Sequence, residues 1–131
     1  NARTPMQWDD SSNGGFSDHT PWLGVNPNYK EINAASQMAD DSSVFRFYQK
    51  LIQFRKKHSA IRNGSFTTVL ADERVYGFAR ENEKEIIEIF VNDGDSAAEI
   101  TVENARSILI PKGNFYIVCR KNGEIIEEIC S

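Results

Sequence analysis

The sequence predicts a mainly β protein, an antiparallel sandwich or barrel preceded by a long loop and one amphipathic helix. Three observations carry that expectation. Short apolar runs between residues 66 and 129 are divided by turn-like segments, the stretch from Ser42 to about His58 repeats apolar residues at helical spacing, and residues 1 to about 41 keep neither period. At 131 residues the chain is one ordinary domain's worth. It is too short for a (β/α)8 barrel, which needs about 250 residues.

The first 41 residues are rich in Asn, Asp, Gly, Ser and Pro, which predicts extended loop with at most a short turn of helix. Loops this long are functional or disordered. In the segment SSVFRFYQKLIQFRKKH, Val44, Phe45, Phe47, Tyr48, Leu51, Ile52 and Phe54 form a broad face expected to be buried. Asp40, Asp41 and Ser42 supply capping groups at its start, and Arg55 to His58 supply positive charge at its end. Asn63-Gly64 then breaks the chain.

Strands are expected at 66–70, 75–80, 85–91, 98–102, 107–110, 115–119 and 124–129. In the third, Ile87, Ile89 and Val91 make the core face, while Ile86 and Phe90 flank Glu88 on a partly wet one. Asn122-Gly123 reads as a type I′ hairpin turn, which sets Cys119 opposite Ile126. Cys130 then lies four residues farther along the partner strand, about 13 Å at the usual rise and beyond the ~7 Å limit for a disulfide. Both cysteines are expected to be free thiols, which suits a cytoplasmic protein.

Charge and hydropathy exclude two partner classes. The net charge is −4 and only Arg55, Lys56 and Lys57 cluster, so a nucleic acid backbone has no electrostatic footprint to meet. No apolar run approaches the ~18 residues of a membrane span, so no membrane partner is expected. No internal repeat or low-complexity tract is present.

The opening string Asn1-Ala2-Arg3-Thr4-Pro5-Met6-Gln7-Trp8-Asp9 is followed by Asn13-Gly14-Gly15-Phe16-Ser17, Thr20-Pro21-Trp22 and Val25-Asn26-Pro27-Asn28-Tyr29-Lys30-Glu31-Ile32-Asn33. Together they resemble the late part of α-glucosidases of glycoside hydrolase family 13, the group of oligo-1,6-glucosidase, dextran glucosidase and trehalose-6-phosphate hydrolase. The resemblance is dense over residues 1 to about 60 and thins in the strands. Gly14 stands where the family has Ala, and Ser17 where it has Thr. It implies that residues 1–60 are a remnant of the catalytic barrel, the loop after its eighth strand and its last helix. Residues 65–131 would be the C-terminal antiparallel β-sandwich, domain C of the α-amylase family.

Such enzymes need two carboxylates about 5 Å apart, a nucleophile and a general acid, to form and hydrolyse a covalent glycosyl intermediate. The family's motifs for these groups lie upstream of the matched string, so no catalytic residue is expected here. Asp9-Asp10 are neighbours on a loop, point apart, and are expected to form a turn. The resemblance makes Arg3 the candidate substrate-binding residue, because a guanidinium bridges sugar hydroxyls and carboxylates. A structural ion pair or a clamp on backbone carbonyls is the stronger expectation for it. Trp8 and Trp22 are expected to bury their rings and anchor the loop. His19 has no Cys or second His near it and His58 closes a helix, so no metal is expected. Asn13-Gly14-Gly15 reads as a turn rather than a phosphate cradle, and no cofactor is expected.

The resulting expectation is the C-terminal segment of a retaining α-glucosidase for short gluco-oligosaccharides, supporting the barrel and inactive in isolation. Its partners would be the missing (β/α)8 barrel, oligosaccharide only within the whole enzyme, and a second copy through the barrel-facing surface. The alternative is a stand-alone glucan-binding sandwich using Tyr76, Phe78, Phe115 or Tyr116 as a stacking platform. Alternation of these residues with other apolar positions argues for core packing instead.

Overall fold

The computed structural model describes residues 3–102 and 106–130, and divides the chain into two compact units, Asn1–Phe54 and Arg55–Ser131.

The first unit is built on polar side chains. Residues expected to hold at most one turn of helix form two 3-10 turns, Ser12–Gly15 and Pro27–Lys30, and a helix α1 at Ala34–Ala39. Helix α1 is short, and its orphan N–H groups all find partners. Ala34 and Ala35 donate to the carbonyls of Gln7 and Trp8, each at 2.9 Å, and Ser36 N–H donates to Asn33 Oδ1 at 2.8 Å. Asn33 and Ser36 thus form a reciprocal capping box. Gln7 Nε2 reaches Asn28 Oδ1 at 3.0 Å and Ile32 O at 2.5 Å, tying the opening string to the second 3-10 turn.

Helix α2 runs Val44–Lys57. Its cap is Ser43, whose Oγ accepts from Arg46 N at 3.2 Å and donates to Gln37 O at 2.5 Å. The expected cap, Asp40 to Ser42, closes the turn before it instead, with Asp40 Oδ1 accepting from Ser42 N and Oγ at 2.8 and 2.7 Å. Charge at the C-terminal end is as expected, with Arg55, Lys56 and Lys57 in the last turn. Burial is not. Phe54 is buried, while Val44 and Tyr48 are 65% and 61% exposed and Phe45, Phe47 and Ile52 are also open. The broad apolar face therefore lacks the cover that its width requires.

The second unit is a β-sandwich. After helix α3, Ser59–Asn63, come β1 Ser65–Ala71, β2 Val75–Glu81, β3 Ile86–Asn92, β4 Ala98–Val102, β5 Arg106–Ile110, β6 Phe115–Lys121 and β7 Glu124–Cys130. Each falls within a residue or two of its expected place. The main sheet has the antiparallel order β1-β2-β3-β6-β7, and β4-β5 form a separate hairpin. Their inner faces meet in one core of Val75, Phe90, Ala98, Ile100, Val102, Ile110, Tyr116 and Val118.

Two expectations about these strands are corrected. In β3 the face buried in that core is the one with Phe90 and Asn92, whereas Ile87, Ile89 and Val91 grade from buried to exposed along the other. Asn92 is tolerated there because its Nδ2 donates to the carbonyls of Ser96, Ile110 and Pro111. In the last hairpin, Asn122 and Gly123 take the positive φ values of 53° and 81° that a type I′ turn requires. A bulge at Cys119/Arg120 then shifts the register, so Cys119 faces Glu127 and not Ile126. A one-residue shift turns the partner strand over, and it puts Glu127 on the same face as Cys119.

Candidate functional site

The opening string provides the first group of candidate residues. Arg3 sits with its guanidinium carbon 5.4 Å from the centre of the Trp22 ring, a cation–π arrangement at an exposed site. Trp22 is 79% exposed and Trp8 53%, so neither ring is the buried anchor that was expected. Anchoring falls to the backbone, where Trp8 donates to Gly14 O at 2.8 Å and accepts from Ala35.

Asp9 and Asp10 form no catalytic pair. Asp9 Oδ1 accepts from Ser11 Oγ and Ser11 N at 2.5 and 2.9 Å, and these bonds hold its carboxyl below the ordinary value. The carboxylate packs where a side chain on residue 15 would lie, only 2.7 Å from its Cβ, and Gly15 has φ +66°. Asp10 takes part through its carbonyl, which accepts from Lys30 Nζ at 2.7 Å. The pair builds the turn, as the sequence suggests.

The second group was not legible in the sequence. His58 does more than close helix α2, since it is 2% exposed and stands between two carboxylates. Its Nδ1 lies 2.7 Å from Glu85 Oε2 and its Nε2 3.1 Å from Glu127 Oε2. Cys119 Sγ lies 3.4 Å from the same Nδ1 and 3.8 Å from Glu85 Oε2. The other Glu85 oxygen accepts from Ala60 N at 3.0 Å and Ser59 Oγ at 3.3 Å, and Lys57 pairs with Glu127.

Each titration follows from these neighbours. Burial pushes the Glu85 carboxyl up, but the bonds from Ala60, His58 and Ser59 outweigh it and leave the group below its ordinary value. Glu127 is lowered chiefly by its bond to Lys57, with His58 adding to the effect. Burial raises the Cys119 thiol to about 11, and the charges of Glu85 and Glu127 add to that. As a nucleophile this thiol is inert. Cys119 and Cys130 are both free, as expected.

Among the described residues, then, an antiparallel sandwich follows a polar loop and helices that carry a tryptophan–arginine edge. That combination defines an antiparallel β-sandwich protein with a loop-and-helix segment ahead of the sandwich. Residues 1–64 match the family described as alpha amylase, catalytic domain. Oligo-1,6-glucosidase of Halalkalibacterium halodurans is 53% identical over 81 residues, 61% of this chain and 14% of that protein. Glucan 1,6-alpha-glucosidase of Streptococcus pneumoniae is 40% identical over 111 residues, 84% of this chain and 21% of that protein. The crystal structure of a trehalulose synthase from Pseudomonas mesoacidophila superposes with TM-score 0.79 at 34% identity, over 89% of this chain and 25% of that one. The chain belongs to the α-amylase family, glycoside hydrolase family 13. It spans between an eighth and a quarter of the length of these relatives.

Proposed function

We propose that this chain works as the C-terminal segment of a retaining α-glucosidase that hydrolyses short gluco-oligosaccharides in the cytoplasm. In this reading it supports a (β/α)8 barrel and is inactive in isolation. The observation that carries the reading is the open apolar surface of the first unit. Trp22, Val44, Phe45, Tyr48 and Ile52 are all at least 40% exposed, which a chain with no further partner would not tolerate easily. The length of the relatives beyond the matched residues supplies a natural cover, namely the barrel. Without it, the same surface would drive association of two copies.

Within that enzyme Arg3 is the substrate-binding candidate. Its guanidinium is oriented by the exposed Trp22 ring, so a charged hydrogen-bonding edge and an apolar face lie side by side. That pairing suits a glucose unit, which offers hydroxyls around its rim and C–H groups on its faces.

Reconstitution tests the proposal. The 131-residue chain is assayed on p-nitrophenyl α-glucoside, maltose and isomaltose alone, then mixed with the part of the Halalkalibacterium oligo-1,6-glucosidase that precedes its matched segment. Turnover is expected only in the mixture, with KM raised by Arg3→Ala. Turnover by the chain alone would overturn the reading, because the nucleophile and general acid of the retaining mechanism are expected upstream of the matched string.

A glucan-binding module is favoured by one observation, the open position of Tyr76, which is 45% exposed rather than packed in the core. Phe66 and Phe78 stack at 5.3 Å, and Tyr76 and Phe78 lie 6.0 Å apart. These rings cover one another's faces instead of presenting them to a sugar, so the module remains the second reading. Retardation in a dextran or starch gel would reverse that order.

A further inference from the structure

We propose that His58, Glu85 and Cys119 form a site for a divalent transition metal of zinc type, with Glu127 orienting the histidine. The proposal does not depend on the glycosidase reading, because it rests on the second unit alone. The three ligand atoms come from one compact cluster in which every pair lies within 4.8 Å. Their chemistry, one imidazole nitrogen, one sulfur and one carboxylate oxygen, is the mixed set that zinc prefers over calcium or magnesium.

Distances support the assignment. Zinc bonds of about 2.0–2.1 Å to nitrogen and oxygen and about 2.3 Å to sulfur place tetrahedral N···S and O···S neighbours roughly 3.5 Å apart. The observed separations are 3.4 Å from His58 Nδ1 to Cys119 Sγ and 3.8 Å from Glu85 Oε2 to the same sulfur. Only the third edge must open. Nδ1 and Oε2 stand at a hydrogen-bonded 2.7 Å, and a metal between them would widen that to about 3.3 Å. Because Glu85 Oε1 is already held by Ala60 and Ser59, Oε2 is presented alone, as a monodentate ligand needs.

The surroundings have the form expected around a ligating histidine. Such a residue donates its second ring N–H to a carboxylate, which fixes the tautomer and makes the other nitrogen the better donor to the metal. Here Nε2 meets Glu127 at 3.1 Å, an encounter created by the bulge that leaves Ile126 of β7 unpaired opposite Cys119/Arg120. Charge also closes. Two positive charges on the metal meet the Glu85 carboxylate and a Cys119 thiolate, His58 stays neutral, and Glu127 is matched by Lys57. Binding breaks the S–H bond, forms the metal–sulfur bond and releases one proton to solvent. The fourth position is left to water, which gives the site the three-ligand form of an open zinc centre.

The competing arrangement is a histidine that bridges two glutamates with no metal. Cobalt(II) distinguishes them. Cys130→Ser removes an exposed thiol and leaves Cys119 as the one remaining cysteine of two, so any thiolate-to-cobalt charge-transfer band must come from it. In that variant of the 131-residue chain, cobalt should produce the near-ultraviolet band and tetrahedral d–d bands, saturating at one equivalent and abolished by zinc. Glu127→Gln should keep the band and lower zinc affinity about 10- to 100-fold. Adding Cys119→Ala should remove the band, with circular dichroism to check the fold. If that variant does not fold, the Cys130→Ser spectrum and the Glu127→Gln affinity still decide. No charge-transfer band in Cys130→Ser, or one that survives loss of Cys119, overturns the proposal.

Discussion

The two units solve the same problem by opposite means. Residues Arg55–Ser131 close an apolar core between two layers, with Val75, Ile110 and Val118 at 2% exposure or less. Asn1–Phe54 buries Asn33 and Ser43 among its polar residues and, Phe54 apart, leaves most of its large apolar side chains open. One unit is held by burial, which is non-directional and large in sum. The other is held by hydrogen bonds between caps, turns and carbonyls, each worth about 1 kcal/mol net. The lesson is that the first unit has the local structure of a finished domain without the energy source of one.

Truncating a core ring should expose the contrast most strongly. Phe90→Ala is expected to destabilise the second unit by about 3–5 kcal/mol, while Tyr48→Ala on the open face of α2 should change stability by less than about 0.5 kcal/mol. Urea unfolding followed by tryptophan fluorescence would see mainly the first unit, since both tryptophans lie there, so circular dichroism is the better probe. Equal costs for the two variants would mean that the face of α2 is covered in solution, and light scattering would then identify a dimer.

The buried His58 cluster comes next in size. Glu85→Ala should cost about 3 kcal/mol at neutral pH, because it leaves His58 and the Ala60 N–H without their shared acceptor in a buried site. Glu85 and Glu127 are both held below their ordinary value of 4.5 in the folded chain. Their contribution to stability is therefore complete above that pH and is lost as pH falls through the lower folded values. Thermal unfolding between pH 7 and pH 3 should show a steep acid slope in the parent chain and a shallower one in Glu85→Gln. An unchanged slope would remove these carboxylates from the account.

Caps and turns have the smallest effects. Ser43→Ala should weaken α2 by about 1 kcal/mol through loss of its bond from Arg46 N–H, seen as faster amide exchange in the first turn. Gly123→Ala should cost about 1 kcal/mol as well, though nothing lies within 4 Å of the added methyl, because φ is +81° there. The first of these tests the polar unit and the second the apolar one, at matched size.

Much of this was legible from order and period. Seven strands, the long helix, the Asn122-Gly123 turn and the free thiols follow from local patterns, and the family follows from the string between Arg3 and Asn33. The Asp9 turn was legible too, because Asp9-Asp10 followed by Ser-Ser-Asn-Gly-Gly has little else to bond. The aromatic positions were harder. Val75 and Tyr76 are both apolar neighbours in one strand, yet one is 2% and the other 45% exposed, since alternate residues face different layers.

What the sequence determined by itself are the features that arise from neighbours: spacing sets a helix, a positive φ demands Asn or Gly, and a cap lies three residues from the N–H it receives. Tertiary structure alone decided which face of β3 is core, whether the tryptophans are covered, and above all the company of His58. That histidine meets Glu85, Cys119 and Glu127 from 27, 61 and 69 residues away. The last of these contacts depends on a bulge at Cys119/Arg120. No local pattern marks it. A bulge forms where packing on both faces of a sheet fits better with one residue left unpaired, and that balance exists only once the layers are together.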